Sequence, residues 1–520
     1  MNARHFLLLL LLLHLSTACK KEAPATAQKG ENTALKKSLD TLFLYTSQLY
    51  LWQDQLPGYR QFSPQHYADA SDQAPLQRMR KALQDLVAYA VNPLTQQPYE
   101  ALPNQQQGNK YSIIVEPDDP GSYLPAQQHP LAALQAGDGG MGLSLAAVGP
   151  QDIRIMAVSK GGPAAGVGLK RGDRIMAVDG RAAETADNYY QYILNSFQRG
   201  NVQLDIADGQ TNNRRQVPLI ALSYTPNPVY KEKILDAGDE KIGYLAFERF
   251  TEEQNARASL TPVFQRFEQA GIQDLIIDLR YNGGGYQNSS RFLANLIAPA
   301  RASGQVMFSE HYNSLMQAGK ADLLKLQYIT NSAGQPVLIN GKPATLFDVD
   351  YTPAANTARF EKEGNLLSLR RVYFIVSKAT ASASELLINS LKPYMQVSLT
   401  GVSLSGGAVR TYGKPVGFFD IKIGPYAVFL SLYQTKNAAG EGAYFDGMPA
   451  DVSVPDDPRY DFGDTQDPAL HSILHQIAPG AYPRLTATER LPADFPGKMI
   501  SGNAGTPYGL IKQINELHYK

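Results

Sequence analysis

The chain of 520 residues has little cysteine, little tryptophan and no surplus of charge. Cys19 is its only cysteine, which excludes an internal disulfide. Lysine plus arginine and aspartate plus glutamate number 48 each, so no net positive charge is available to bind a phosphate backbone, and we expect no nucleic-acid partner. The length exceeds what one hydrophobic core usually covers, which predicts several domains.

A leucine run at the N-terminus predicts export. The first residues, MNARHFLLLLLLLHLSTAC, combine Arg4, an apolar stretch too short for a stable bilayer anchor, and small residues before Cys19. LSTAC resembles the lipobox of bacterial lipoproteins, which implies removal of residues 1–18 and a lipid on Cys19. The alternative is an ordinary secretory signal with an incidental cysteine. Either pattern predicts a mature chain outside the cytoplasm. The lipid would anchor it to a membrane of the cell envelope, facing the periplasm or on the outer membrane surface.

The next segments differ in apolar content. Residues 19–33 are polar and predict a flexible tether. Residues 34–125 predict a helical domain, because LKKSLDTLFLYTSQLYLWQDQL and APLQRMRKALQDLVAYAV place apolar residues three and four positions apart. We expect the aromatic cluster around Trp52 to be core rather than a binding groove.

Residues 126–225 predict a compact β domain. Short alternating strands are broken by glycine turns between Gly139 and Gly180. GMGLSL and GGPAAGVGLKRGDRIMAVDG resemble a PDZ domain, in which backbone N–H groups of the loop Gly140, Met141, Gly142 and Leu143 would receive a peptide's terminal carboxylate. A PDZ domain can also serve as a packing or gating module, so both roles stay open.

Strands alternate with helical stretches from residue 226 to 465, which predicts an α/β core built on crossovers. Residues 302–370 read as a polar insertion, either over a functional site or as a surface excursion. Residues 466–520 read as a C-terminal extension.

Three short hydroxyl side chains stand in KATASASELL: Thr380, Ser382 and Ser384. RVYFIV before them predicts a buried strand, and SELLINSLKP after them predicts a helix that ends at Pro393. A serine at such a turn could be a nucleophile, because the helix N-terminus offers unpaired N–H groups to a developing negative charge. This stretch alone favours a helix cap instead, with Ser382 and Glu385 forming a capping box.

A glycine-rich loop follows a second apolar strand in LIIDLRYNGGG. Such a loop suits a backbone N–H that must face an oxyanion. Together, DLRYNGGG, TASASELL and the preceding PDZ segment resemble the C-terminal processing peptidases, or tail-specific proteases. That resemblance implies a ClpP/crotonase-like α/β serine peptidase core, with Ser382 as nucleophile and the N–H groups of Ala383 and Gly284 as the oxyanion hole.

The general base of that family is a lysine, and its usual spacing from the nucleophile would place it at Gly407. TYGKPVGFF looks like the lysine segment of Bacteroidota-type lipoprotein members, so we align Lys414 to the base. Lys392 stands about ten residues along the helix, roughly 15 Å from Ser382, and Lys378 ends the preceding strand. Phe418 occupies the position at which some members carry a glutamine that orients the lysine. A third catalytic group beside the Ser-Lys dyad is therefore unidentified.

The histidines offer no comparable constellation. His471 and His475 in HSILH have a spacing seen in helical metal sites, but no acidic residue stands between them, and we expect surface positions. We expect no metal and no cofactor.

The sequence therefore predicts an exported, lipid-anchored serine endopeptidase that binds protein or peptide substrates with apolar C-termini. The rival hypothesis is a lipoprotein adaptor that binds protein tails without cutting them. Whether the chain forms a homo-oligomer stays open.

Overall fold

The computed structural model describes residues 25–69, 72–102, 108–116, 140–225, 227–238, 240–331, 334–367, 369–484, 497–501, 510–512 and 516–520. The predicted signal peptide and lipidation site at Cys19 lie outside the described residues. Helix α1 (Ala25–Leu49) begins inside the predicted flexible tether, so residues 25–33 are helical. Alanine, glutamine, lysine and glutamate in this stretch favour a helix, although they supply little apolar surface.

The N-terminal region is helical as predicted, but it has no core of its own. Buried side chains such as Leu39 and Leu83 belong to one continuous hydrophobic core that also contains Leu245 and Leu386 of the α/β core. The region is therefore a layer of the larger body rather than a separate domain. Its helices are α1, α2 (Tyr59–Phe62) and α3 (Pro75–Val87), and its strand is β1 (Ile113–Val115).

The PDZ segment forms an antiparallel sheet with its own core, which contains Leu145, Ile155 and Ile193. Within it, β2 pairs with β3, β3 with β4, β4 with β6, and β6 with β7, while β5 pairs with β4. Its strands are β2 (Leu143–Gly149), β3 (Asp152–Val158), β4 (Arg174–Val178), β5 (Arg181–Ala182), β6 (Asn201–Ala207) and β7 (Arg214–Ile220). Its helices are α4 (Pro163–Gly166) and α5 (Asp187–Gln198).

The α/β core contains a mostly parallel sheet in the order β21-β16-β15-β10-β9-β8, in which only the β8–β9 pair is antiparallel. These strands are β8 (Val229–Ala237), β9 (Glu240–Phe247), β10 (Asp274–Asp278), β15 (Arg371–Val376), β16 (Gln396–Ser403) and β21 (Val452–Pro455). The crossovers include the helices α6 (Glu253–Ala270), α7 (Gln287–Ile297) and α9 (Ala383–Leu391). The short helix α8 (Ser314–Gln317) lies between α7 and α9 in the chain. Strands and crossover helices alternate as the sequence predicted.

The segment read as an insertion, residues 302–370, is part of the fold. Its strand β11 (Val306–Tyr312) pairs with β20 (Tyr433–Asn437), and Phe308 and Tyr312 are buried. The alternation of apolar side chains in VMFSEHY lies within a polar segment, which hid this strand. Further strands are β12 (Leu338–Ile339), β13 (Lys342–Pro343), β14 (Thr357–Arg359), β17 (Val416–Phe418), β18 (Asp420–Ile423) and β19 (Tyr426–Phe429). Short 3₁₀ helices lie at Gln53–Gln55, Pro64–Asp69, Ala300–Ala302, Asp322–Leu326 and Leu346–Asp348.

The segment read as a C-terminal extension completes two sheets. After α10 (Pro468–Ile477), β22 (Lys498–Ser501) pairs antiparallel with β2 of the PDZ sheet. Strand β23 (Leu510–Ile511) pairs in parallel with β17 of the second sheet, whose order is β14-β11-β20-β17-β23. Strand β1 pairs with β19. The chain thus returns from the α/β core to the PDZ sheet. The sequence analysis did not predict this pairing, because it assigned residues 466–520 to a separate extension.

Candidate active site

Ser382 lies at the turn between β15 and α9, where the sequence predicted a strand-to-helix junction. It is the residue before the helix, with φ 59° and ψ −113°. A non-glycine residue rarely adopts a positive φ, and such strain is typical of functional sites. The Ser382 side chain is buried, and its Oγ has no hydrogen-bond partner among the described residues.

The two neighbouring hydroxyls of the KATASASELL motif have structural partners. Thr380 Oγ1 donates to Leu279 O at 2.8 Å, and Ser384 Oγ donates to Asn282 O at 3.1 Å. Both acceptors belong to the loop DLRYNGGG, so these two hydroxyls join the serine-rich turn to the glycine-rich loop. Only Ser382 keeps an uncommitted hydroxyl.

Glu385 organises the turn from inside the protein. The N–H groups of Ser382 and Lys414 donate to Glu385 Oε2 at 2.9 and 2.8 Å. Its Oε1 accepts from the Gly413 N–H at 2.7 Å and from the Thr411 hydroxyl. Burial raises the pKa of this carboxyl, and the four hydrogen bonds oppose that rise. The predicted capping box is present: the Ser382 N–H donates to Glu385, and Ser382 Oγ faces the Glu385 N–H without forming a hydrogen bond to it.

The backbone of Lys414 lies close to that of Ser382, because the N–H groups of both residues donate to Glu385 Oε2. Two hydrogen bonds to Oε2 hold the backbone nitrogens of Ser382 and Lys414 within about 6 Å of each other. The Lys414 side chain is buried, with Nζ 5.3 Å from the ring centroid of Phe418 and 6.0 Å from that of Tyr111. Burial lowers the pKa of Lys414 to about 8, although the charges of Glu100 and Glu385 act in the opposite direction.

The alternative positions for a base lack this environment. Gly407, at the usual family spacing, is exposed in a turn with φ 82°. Lys378 is exposed, and Lys392 is exposed at the C-terminal end of α9, opposite to Ser382. The buried lysine beside the serine turn is therefore Lys414.

Gly284 packs directly against the serine turn. A Cβ built on it would lie 2.7 Å from Ser382 Cβ and 2.8 Å from Ala381 O, and its φ is 104°. Its N–H donates to Asn282 Oδ1 at 2.9 Å, so this amide is already engaged. Ala383, the other predicted oxyanion donor, is the first residue of α9. The structure thus brings both predicted donors to the serine turn and leaves the Gly284 amide turned to Asn282.

Residues of the N-terminal region complete the surroundings of Lys414, and sequence analysis missed them. The Tyr111 hydroxyl donates to Gly413 O at 2.6 Å, next to Lys414. Buried Glu100 accepts from the Ser112 N–H and the Ser431 hydroxyl at 2.7 and 2.9 Å. No motif distinguishes Glu100 or Tyr111 in the sequence, because their proximity to Lys414 arises only from tertiary packing.

Lys110 and Trp52 also belong to this N-terminal wall. The Lys110 Nζ donates to Phe445 O at 2.6 Å, and burial lowers its pKa. Trp52 stacks on Tyr99 with ring centroids 3.9 Å apart and contacts Phe445 edge-on. Trp52 and Tyr99 are partly buried and pack against the buried side chains of Tyr111 and Phe445, so the cluster joins the helical region to the α/β core.

The predicted peptide-binding loop, Gly140–Leu143, leads into β2. Met141 and Leu143 are buried in the PDZ core, and Gly142 has φ 71°. Met141 O accepts from the Ala164 N–H at 3.0 Å, and Gly142 O accepts from the Ser159 N–H at 2.9 Å. The loop is thus fixed by its carbonyl groups at the end of the sheet.

The two histidines of HSILH contact backbone carbonyls. His471 Nδ1 and Nε2 lie 2.9 and 2.6 Å from Thr465 O and Pro483 O, and His475 Nδ1 lies 2.7 Å from Tyr482 O. The described ranges contain no group of three or more His, Cys, Asp or Glu side chains placed to hold a metal ion. No helix within these ranges has the length and apolar character needed to cross a bilayer.

Comparison with known proteins identifies two of the regions described above. Residues 241–413 match the model of peptidase family S41, and residues 154–206 match that of the PDZ domain. Ser382 falls inside the first range, and Lys414 lies one residue beyond it. One region of the chain is therefore similar to PDZ domains and another to the S41 peptidases.

Individual relatives agree with this assignment. The chain is 26% identical over 345 residues to a chloroplastic C-terminal processing peptidase of Tetradesmus obliquus, in a match that covers 62% of each chain. It is 23% identical over 326 residues to a carboxyl-terminal-processing protease of Picosynechococcus sp., covering 61% of this chain and 66% of that protein. The matches thus span less than two thirds of either relative.

A solved structure shows the same fold. A Bacteroides fragilis structure assigned to the S41 proteases superposes with a TM-score of 0.56 at 20% identity, covering 84% of this chain and 97% of that one.

Proposed function

We propose that this chain is a serine endopeptidase in which Ser382 is the nucleophile and Lys414 the general base. The observation that carries the proposal is the Glu385 carboxylate, whose Oε2 accepts the N–H groups of both residues. That contact holds the backbone nitrogen of a strained serine, whose hydroxyl is unpaired, within about 6 Å of the backbone nitrogen of a buried lysine whose pKa is lowered to about 8. A serine needs such a base, and a lysine can act as one only when part of it is neutral.

The reaction divides into acylation and hydrolysis. Ser382 Oγ attacks the substrate carbonyl carbon while Lys414 Nζ takes the hydroxyl proton. The Ala383 N–H stabilises the oxyanion, and Gly284 adds a second donor after its N–H leaves Asn282. Lys414 returns the proton to the leaving amine as the C–N bond breaks. A water molecule, deprotonated by Lys414, then attacks the acyl carbon, and Lys414 returns this proton to Ser382 Oγ as the ester bond breaks.

The remaining predictions extend this function to substrate and location. The PDZ domain binds the apolar C-terminal end of a protein or peptide and presents its backbone to Ser382. Export and a lipid on Cys19 place the enzyme in the cell envelope. These proposals depend on the PDZ fold and on the N-terminal sequence pattern, respectively.

One observation favours the adaptor alternative. Because the Gly284 N–H donates to Asn282, the oxyanion hole is incomplete in this conformation. A protein that only binds tails would keep this hydrogen bond, whereas a peptidase must release it during each turnover.

Mass spectrometry of peptides with apolar C-termini separates the two functions. We expect wild-type protein to cleave them, and both Ser382→Ala and Lys414→Met to lower kcat/KM at least about a thousandfold. Lys320→Ala, at an exposed lysine of the α/β core, is the matched control and should retain activity. No cleavage by folded wild-type protein, with tail binding retained, would establish the adaptor. Cleavage that survives Lys414→Met would assign the base to another residue.

A further inference from the structure

The PDZ groove is occupied by the chain itself. Strand β22 pairs antiparallel with β2, with Leu145 opposite Ser501 and Ala147 opposite Lys498. Strand β2 has β3 on its other side, so β22 fills the open edge that directly follows the Gly140–Leu143 loop.

The direction of β22 is that of a bound tail. Its chain runs from Ala147 towards Leu145, and so towards the loop that precedes β2. A peptide whose terminal carboxylate reaches the N–H groups of that loop must add to the same edge in the same direction. An internal segment of the chain therefore takes the path expected of a ligand.

Side chains of β22 bind both walls of the groove. Ile500 is buried and packs into the PDZ core, whereas Met499 points outward and is 37% exposed. Lys498, on the same side of the strand as Ile500, reaches α5, where its Nζ lies 2.5 Å from Asp187 Oδ1 and 5.4 Å from the Tyr190 ring centroid. The groove thus contacts a basic residue, Lys498, and an apolar residue two positions later, Ile500.

The segment also connects the PDZ domain with the α/β core. Gly497, immediately before β22, donates its N–H to Leu404 O at 3.3 Å. A Cβ on Gly497 would lie 2.6 Å from Leu404 Cβ, so the fit allows only glycine without rearrangement. A ligand that displaces β22 would also loosen this contact between the two bodies.

We propose that residues 498–501 are an internal pseudo-ligand of the PDZ domain, which substrate tails with a basic residue two positions before an apolar one must displace. This inference rests on the proposed peptidase function, because it treats the bound tails as substrates. Displacing residues 498–501 costs free energy. The apparent affinity of the groove for a tail is therefore its intrinsic affinity multiplied by the fraction of molecules whose groove is open.

Fluorescence anisotropy with a labelled peptide tests the occupancy. The probe is GKMISG with a free carboxylate, and all proteins carry Ser382→Ala so that binding is measured without turnover. Relative to this background, we expect Ile500→Asp to lower the peptide Kd about tenfold or more, because a buried apolar contact is lost from the competitor but not from the probe. Lys498→Glu should lower it several-fold, since both partners of that ion pair are largely exposed.

Two further proteins sharpen the result. Lys320→Glu introduces the same charge change on the α/β core and should leave Kd unchanged. Asp187→Lys should reverse the preference between GKMISG and its counterpart GEMISG, because it changes the sign of the groove charge that the peptide's second residue meets.

The outcomes are distinct from those of the cleavage experiment. Equal Kd values for the background protein and for folded Ile500→Asp would overturn the internal pseudo-ligand, as would a failure of every protein to bind the probe. If Ile500→Asp does not fold, Lys498→Glu and Gly497→Ala decide the question by the same comparison. An unchanged peptide preference in Asp187→Lys would overturn the basic-residue rule. A protein that binds the probe as expected but cleaves nothing would retain this inference and lose the peptidase function.

Discussion

A buried lysine must lose its proton before it can act as a base, and the surroundings of Lys414 determine the pH at which it does so. Burial lowers its pKa to about 8, whereas Glu100 is the first of the charges that hold the pKa up. The ring centroids of Phe418 and Tyr111 lie 5.3 and 6.0 Å from Nζ. Burial and the charges of Glu100 and Glu385 thus shift the pKa of this amine in opposite directions.

We therefore expect peptidase activity to depend on pH through Lys414. The value of kcat/KM should rise with pH and level off above about 8, because only the neutral amine accepts the Ser382 proton. Glu100→Gln removes a negative charge that stabilises the ammonium form, so the midpoint should move to lower pH. The pH–rate profile measures both effects.

Asp322→Asn removes an exposed carboxylate whose side chain is 68% accessible, and it should leave the midpoint unchanged. A Glu100→Gln midpoint that stays in place or rises would show that Glu100 does not act on the base.

At the scale of elements, the site depends on two neighbouring parallel strands. Strands β10 and β15 pair in parallel with Asp278 opposite Ile375, so the loops after them meet at the same edge of the sheet. Sequence analysis predicted each strand and each loop correctly. It could not show that they are neighbours by geometry, because strand order depends on long-range pairing; only the family resemblance placed the loops together.

Gly284 packs against the Ser382 turn, and an alanine there should separate the two loops. Gly284→Ala places a Cβ within 3 Å of Ser382 Cβ and Ala381 O. We expect kcat to fall about a hundredfold or more, because the Ser382 turn and one oxyanion donor both shift. Steady-state kinetics measure this loss, while GKMISG binding should not change.

The control is Gly440→Ala. Gly440 also has a positive φ, 80°, but its Cβ would meet open space, so backbone strain is present without the clash. Equal losses of kcat in the two variants would show that strain rather than the contact with Ser382 is responsible.

At the scale of the whole molecule, a buried ionic network joins the PDZ domain to the α/β core. Arg171 of the PDZ domain donates to Asp456 Oδ1 at 2.9 Å and to the Tyr281 hydroxyl at 2.8 Å. Arg280 contacts the same Asp456 and also binds Asp467. Tyr281 belongs to the DLRYNGGG loop, so this network reaches the loop that carries Gly284.

Removing the PDZ partner of this network should destabilise the protein. Arg171→Leu leaves Asp456 with one buried cation fewer and breaks bonds to backbone carbonyls, and we expect a loss of about 3–5 kcal/mol in the free energy of unfolding. Urea denaturation followed by circular dichroism measures it.

Arg266→Leu removes an exposed ion pair to Glu232 and should cost less than about 1 kcal/mol. Similar small losses in both variants would show that the Arg171 contacts contribute little net stability.

The amino-acid sequence by itself determined the local elements of this protein. Hydrophobic periodicity and turn residues are local signals, so they predicted the buried strand before Ser382, the helix after it, the glycine loop and the PDZ strands. The tertiary structure decided what these signals do not encode. It placed Glu100 and Tyr111 around Lys414, made residues 302–370 part of a sheet, and returned residues 498–501 to the PDZ groove. Each of these depends on contacts between segments far apart in the chain, whose free energy comes from packing rather than from local propensity.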